Sequence, residues 1–156
     1  AGVGPDAIAA GVRDWRPTRH QLQEVAVIGG VRFIDDSKAT NPEAAMADLR
    51  TLPRPLLVIG GGDTKGRDMK AYADALAELA DAAFLIGDGA EPIAQALGAR
   101  LPVTMSGTLE QAVPAAYAAA SAGATVILAP GCASFDQFNG QAERGDHFAA
   151  LVRQLA

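Results

Sequence analysis

The sequence predicts an α/β fold: a mostly parallel sheet with one antiparallel edge hairpin and helices on both faces. Three observations carry this. Continuous apolar runs, "LLVIG" (Leu56–Gly60), "AFLIG" (Ala83–Gly87) and "TVILAP" (Thr125–Pro130), read as strands covered on both sides. Stretches with apolar residues at helical spacing lie between them. The pair Gly29-Gly30 divides two short apolar segments, which is the signal of a β-hairpin. Strands alternating with helices build parallel sheets with helical layers.

Taken in order, Pro5 to Trp15 reads as a short helix. Glu24–Ile28 and Val31–Asp35 are the hairpin strands. A helix follows over Pro42–Leu49. Asn41 before Pro42 is a cap with proline at the first helical position, and Thr40 with Glu43 is the rival, a capping box. Met69–Leu79 is helical, with Tyr72, Leu76 and Leu79 on one face. Pro92–Leu97 is a short helix stopped by Gly98, and Leu101–Met105 a short strand. "TLEQ" (Thr108–Gln111) opens the next helix as a capping box, and Pro114 in its second turn predicts a kink or a later start. Glu143–Leu155 closes the chain as a helix, with Phe148, Leu151, Val152 and Leu155 on one side.

The length, 156 residues, fits one main domain. At 49% hydrophobic residues and 5% aromatic, the core should be aliphatic, with alanine letting helices approach closely. The net charge of −5 argues against nonspecific nucleic-acid binding, which needs a basic field. Cys132 is the single cysteine, so an internal disulfide is excluded, and with only His20 and His147 a Cys/His zinc centre is not expected. No apolar run approaches the ~18 residues of a membrane span. No basic start followed by an apolar core marks a signal peptide. A cytoplasmic protein without a membrane partner is the expectation.

Open parallel sheets bind ligands beyond the carboxyl ends of their strands. Four loops occupy that position: "DDSKATN" (Asp35–Asn41), "GGGDTKGRD" (Gly60–Asp68), "GDG" (Gly87–Gly89) and "PGCASFDQF" (Pro130–Phe138). In the first, a helix N-terminus beside Lys38 suits an anion, Thr40 can donate to a carboxylate or phosphate, and Asp36 can accept from ribose hydroxyls or hold a cation. A capped, solvated turn would explain one of these residues but not the run before it. The second loop is neither a P-loop nor a dinucleotide fingerprint, because Thr64 precedes Lys65 and Gly66 follows it. It presents Lys65 at the same edge as Lys38. In the fourth loop, Ser134 stands where a hydroxyl or adjacent N–H groups can bind an anion. Its surroundings do not match the G-x-S-x-G elbow and offer no persuasive base, so Cys132 reads as packing rather than as a nucleophile.

Together, "DDSKATN", "GGGDTKG" and "PGCASFDQF…ERG", in this order, resemble the C-terminal domain of the Mur ligases, within them the members that add D-glutamate. The resemblance covers the chain from His20 onward. It implies a Rossmann-like domain over residues 20–156, with residues 1–19 as the end of a central domain and its linker, in keeping with a chain that starts without Met. It also implies an ATP-dependent ligase of peptidoglycan synthesis. In that chemistry ATP phosphorylates the carboxylate of UDP-N-acetylmuramoyl-L-alanine, and the amine of D-glutamate attacks the acyl phosphate. Other domains carry the P-loop, the magnesium ligands and the UDP-sugar site, so this stretch alone is expected to be inactive. Carried over, Thr40 and Lys65 resemble the groups that bind the side-chain carboxylate of D-glutamate. Ser134 resembles the one that binds its α-carboxylate, with backbone at Phe135 and Gln141 assisting. Asp36, Lys38 and His20 resemble groups on the ATP/ADP side. Two departures stand out: Gln141 replaces a frequent aromatic, and Gln21 follows His20 where the family has arginine, the arginine here being Arg19. The competing readings are a stand-alone nucleotide- or amino-acid-binding module and a Mur-type ligase for another amino acid.

Overall fold

The computed structural model describes Gly4 and residues 18–156. Within them the chain runs β1 (Gln23–Ile28), β2 (Val31–Asp35), α1 (Pro42–Leu49), β3 (Leu56–Gly61), α2 (Lys70–Leu79), β4 (Ala82–Ile86), α3 (Ala90–Leu97), β5 (Val103–Gly107), α4 (Leu109–Ala119), β6 (Thr125–Leu128) and α5 (Gln141–Arg153). The helix expected at Pro5–Trp15 lies outside the described residues.

One six-stranded sheet has the order β1-β2-β6-β3-β4-β5. β1 pairs antiparallel with β2, and every other pairing is parallel. The hairpin turns on Gly29 (φ 58) and Gly30 (φ 80). Two successive positive φ angles define a type I′ turn, which side chains with a Cβ resist and glycine does not.

Side chains alternate across the sheet, so each strand feeds two cores. Leu56, Val58, Leu85, Ile34 and Ile127 face one side and pack with Leu49, Tyr72, Leu76 and Ile93 from α1, α2 and α3. Leu57, Ile59, Phe84, Phe33 and Val126 face the other and pack with Leu109, Val113, Phe148 and Val152 from α4 and α5. Each such large side chain contributes about 1.5–3 kcal/mol by burial. Ala45, Ala73, Ala112 and Ala116 are fully buried on the inner helix faces, which brings the helices close to the sheet.

The boundaries differ from expectation where proline is concerned. Helix α3 begins at Ala90 rather than at Pro92, because a first-turn proline needs no intrahelical donor. Helix α4 runs from Leu109 through Pro114, so the proline does not delay its start. Thr108 stands at its N-cap but its side chain caps nothing, so the expected capping box does not form. In α1 the side chain of Asn41 accepts from the Ala44 N–H at 2.9 Å, which settles the cap on Asn41 and leaves the Thr40 hydroxyl free of that duty.

Candidate functional site

Parallel pairing of β2, β6, β3 and β4 brings the carboxyl ends of all four strands to one edge. The loops there are tied to one another by backbone. Gly131 N–H donates to the Ala39 carbonyl at 3.1 Å, joining the loops after β6 and β2. Asp63 and Ala133 exchange two bonds of 2.9 Å, joining the loops after β3 and β6. Gly89 N–H donates to the Gly62 carbonyl at 2.7 Å, and Asp88 N–H to the Asp136 carboxylate at 3.1 Å, which adds the loop after β4. Gly62 (φ 125) is needed in this rim, since a Cβ there would strike the Ala133 carbonyl and lie 3.1 Å from Arg144 Nη1.

Arg144, in the first turn of α5, fastens the rim from below. It is 1% exposed. Its Nε donates to Ser37 Oγ and its Nη2 to the Ser37 carbonyl, each at 2.9 Å. Nη1 and Nη2 reach the Cys132 carbonyl at 3.2 Å, and Nη1 also reaches the Ala133 carbonyl at 3.1 Å. Ser37 Oγ in turn donates to the Gln141 carbonyl at 2.8 Å. Burial disfavours the cation and draws its pKa down to about 10, so it remains charged at neutral pH. All its hydrogen-bond partners among the described residues are neutral. A buried, carbonyl-bound cation therefore sits behind the loops that carry Lys38, Thr40 and Ser134. In the sequence this arginine stands within "ERG" (Glu143–Gly145), where nothing adjacent marks a role for it. Its spacing from Phe148 and Val152 (i, i+4, i+8) puts it on the inner face of α5, and that was the available signal.

Lys65 and Phe135 meet across the Asp63–Ala133 bridge: Lys65 Nζ lies 5.2 Å from the Phe135 ring centroid. Phe135 is 63% exposed and Lys65 is exposed, whereas Ser134 beside them is buried. Thr40 is half-buried on the neighbouring loop. These four residues share the rim.

Asp36 and Lys38 belong to a cavity of about 160 Å³ that Gln21, Ala39, Ala44 and Asp48 also line. Asp36 is completely buried, and its Oδ1 accepts from the Leu22 N–H at 3.1 Å. Its Oδ2 is buried with no partner. Burial, opposed by the Leu22 bond and reinforced by Asp48 and then Asp35, pushes its carboxyl up to about 8. Lys38 is exposed and its amine donates to Thr18 Oγ1.

His20 is not brought to this cavity. It is buried, with Nδ1 2.7 Å from Asp35 Oδ2 and Nε2 3.8 Å from Asp146 Oδ1. Gln21, the neighbour that replaces the expected arginine, lines the cavity instead. Gln141 offers Ser37 its backbone carbonyl, while its side-chain Oε1 is buried without a partner. Burial raises the Cys132 thiol to about 12, which leaves no thiolate for nucleophilic chemistry. Among the described residues no three His, Cys, Asp or Glu side chains gather as metal ligands, and no helix is long and apolar enough to cross a membrane.

The family described as Mur ligase, glutamate ligase domain, matches residues 18–132. The UDP-N-acetylmuramoylalanine-D-glutamate ligase of Solibacter usitatus is 45% identical over 99% of this chain and 35% of its own length. The enzyme of the same name from Frankia casuarinae is 47% identical over 97% of the chain and 33% of its own length. The chain thus spans about a third of the length of the curated relatives it matches. Among solved structures, a murein peptide ligase from Psychrobacter arcticus superposes with TM-score 0.66 at 16% identity, covering 96% of this chain and 32% of that one. Mycobacterium tuberculosis folylpolyglutamate synthase complexed with ADP gives 0.63 at 20% identity, covering 96% of this chain and 35% of that one. At these identities the structural likeness concerns the fold.

Proposed function

The chain belongs to the Mur ligase family, as its glutamate ligase domain, and on that premise we propose that it is the amino-acid-presenting domain of an ATP-dependent ligase joining D-glutamate to UDP-N-acetylmuramoyl-L-alanine. The supporting observation is the convergence of Lys65, Thr40 and Ser134 on one tied rim, backed by the buried Arg144 cation. D-Glutamate is a dicarboxylate. Lys65 and the Thr40 hydroxyl take its side-chain carboxylate. Ser134 takes its α-carboxylate, with backbone near Phe135 and Gln141. Each charge-assisted bond of this kind contributes about 1.5–3 kcal/mol.

Holding both ends fixes the amine between them. Its lone pair then meets the activated carboxylate in one geometry, so this chain acts by positioning and needs no covalent or proton-transferring residue. ATP, with magnesium held elsewhere in the longer enzyme, supplies the activation of the acceptor carboxylate. The orphaned Asp36 Oδ2 fits a nucleotide on this side, because a ribose hydroxyl would supply the donor it lacks. Lys38 beside it fits the phosphate charge. His20, locked to Asp35, acts in this reading by shaping the linker that presents Gln21 rather than by touching nucleotide. Residues 1–19 are the end of the preceding domain and its linker. The setting is the cytoplasm, where such nucleotide-linked precursors are made.

The reading is tested in the longer ligase that carries this domain. Lys65→Ala should raise the KM for D-glutamate by at least about tenfold, the loss of one charge-assisted bond, with the KM for ATP unchanged. Unchanged turnover at low D-glutamate refutes the assignment. A panel of other amino acids run alongside decides between D-glutamate and another substrate.

A further inference from the structure

We propose that Asp63 is a positioning residue for Lys65: its carboxylate holds the lysine backbone in a left-handed turn that sets the amine over the Phe135 ring, at the rim beside Ser134. The inference deepens the D-glutamate reading above and rests on it.

The turn lies between β3 and α2. Arg67 N–H donates to the Thr64 carbonyl at 3.1 Å, which closes four residues on themselves. The two central ones are Lys65 (φ 52) and Gly66 (φ 70). Positive φ at both central places defines a type I′ turn. The hairpin between β1 and β2 meets the same demand with two glycines. Here a lysine takes the first place. Its Cβ is disfavoured in the left-handed region, and its side chain cannot bond the nearby backbone as an asparagine or aspartate would. Local preference does not select lysine at this position. Strain of this kind persists only where the surroundings hold it, and it points to a use for the side chain.

Asp63 supplies the hold. Its Oδ1 accepts from the Lys65 N–H at 2.8 Å, the donor at the strained position. Thr64 Oγ1 accepts from the Gly66 N–H at 3.2 Å. With the Arg67 bond, the three N–H groups of the tip are all engaged, although Lys65, Gly66 and Arg67 are exposed. Of the two side-chain acceptors, Asp63 is the better anchored. Its own N–H and carbonyl are fixed to Ala133 by the paired 2.9 Å bonds. A carboxylate also accepts a stronger bond than a hydroxyl does.

The same bridge decides where the lysine ends. Ala133 is followed directly by Ser134 and Phe135. A residue whose backbone is tied to Ala133 and whose side chain ties Lys65 therefore sets the lysine against that loop. The result is the 5.2 Å approach of Nζ to the Phe135 centroid. Asp63 thus joins the loop that carries the amine to the loop that carries the hydroxyl.

A lysine carries more rotamer freedom than most side chains, and binding a carboxylate must remove it. With the backbone fixed at one end and the amine resting on a ring at the other, part of that freedom is gone before the ligand arrives, which is preorganisation. Without the Asp63 carboxylate nothing offsets the left-handed backbone of Lys65. The tip then relaxes and the amine leaves the ring.

The experiment compares Asp63→Ala with Asp63→Asn, which keeps an oxygen at the same place. Neither removes the backbone bonds to Ala133, so the bridge stays. In this chain, the proton shift of the Lys65 ε-methylene reports the ring: the parent signal should lie upfield of the same signal in Phe135→Ala. Asp63→Ala should lose that displacement and Asp63→Asn should keep it. In the longer ligase, Asp63→Ala should raise the KM for D-glutamate about three- to tenfold, the worth of one hydrogen bond, with kcat and the KM for ATP within about twofold of the parent. Asp63→Asn should restore the KM for D-glutamate to within about twofold. A displacement that survives in Asp63→Ala overturns the proposal. So does an Asp63→Asn variant that behaves as Asp63→Ala, because the charge and not the bond would then be at work. Where the displacement is lost but the KM stays unchanged, Lys65→Ala decides. If that variant raises the KM, Asp63 does not position the amine for binding, and the proposal falls. If it too leaves the KM unchanged, the D-glutamate reading falls, and Asp63 stands as the residue that sets the Lys65 amine.

Discussion

Arg144 holds Ser37 twice, by its Oγ and by its carbonyl, each at 2.9 Å. The same guanidinium holds the carbonyls of Cys132 and Ala133. One buried side chain on α5 thereby sets the spacing between the loop bearing Thr40 and the loop bearing Ser134. Lysine has a single donor point and cannot span both, because the planar fork is what matches carbonyls on two sides. Arg144→Lys should therefore destabilise the fold by about 2–4 kcal/mol, since buried carbonyls left unpaired cost about 1–3 kcal/mol each. Chemical denaturation of the variant against the parent measures this. A loss below about 0.5 kcal/mol, the size of an ordinary surface change, would mean the rim stands without Arg144.

The Lys65–Phe135 contact gives a subtler expectation. The ring lies under the amine at 5.2 Å and holds a flexible side chain near Ser134. An exposed cation–π contact contributes about 0.5–1 kcal/mol. Phe135→Ala in the full ligase should thus raise the KM for D-glutamate about two- to fivefold with little change in kcat. Phe135→Tyr should restore the parent value, because the ring face is kept. A kcat defect of the same size in both variants would show that the ring does something other than position Lys65.

Capping separates Asn41 from Thr40. Asn41 accepts from Ala44 N–H, so Asn41→Ala should cost about 1 kcal/mol of stability, whereas Thr40→Ala should cost only a few tenths. Denaturant midpoints of the two variants test the division. Equal losses would return Thr40 to the role of a cap and weaken its candidacy as a ligand.

That division shows where the sequence was legible and where it was not. Both caps satisfy the same local rule, and only the backbone path of residues 40–42 decides between them. The strands were readable because a strand covered on both faces must be apolar throughout, as Leu56–Ile59 is. The meeting of four loops at one edge followed from parallel pairing. Arg144 carries no sequence signal of its role because charged residues are ordinarily exposed; its partners are the Ser37 hydroxyl and backbone carbonyls about ten and a hundred residues away. The resemblance places His20 on the ligand side; in the fold its Nδ1 lies 2.7 Å from Asp35 Oδ2, a contact fifteen residues along the chain that no local pattern announces.

The buried Asp36 carboxyl also sets a pH dependence of stability. Its pKa is raised to about 8 in the fold, by burial first, against about 3.9 for a free carboxyl. Between those values the native state binds a proton that the unfolded chain does not. Stability therefore falls as pH rises through this window, by up to about 1.4 kcal/mol per pH unit from this group, and levels off above its native pKa. Asn at the same position cannot ionise and keeps an oxygen for the Leu22 N–H. Asp36→Asn should therefore remove this group's share of the slope and be more stable than the parent at about pH 8, even though it loses the nucleotide contact. Urea unfolding of parent and variant across the window gives the difference directly. Parallel pH profiles would show that Asp36 titrates normally in the native state, and the burial energetics assigned to it would have to be abandoned.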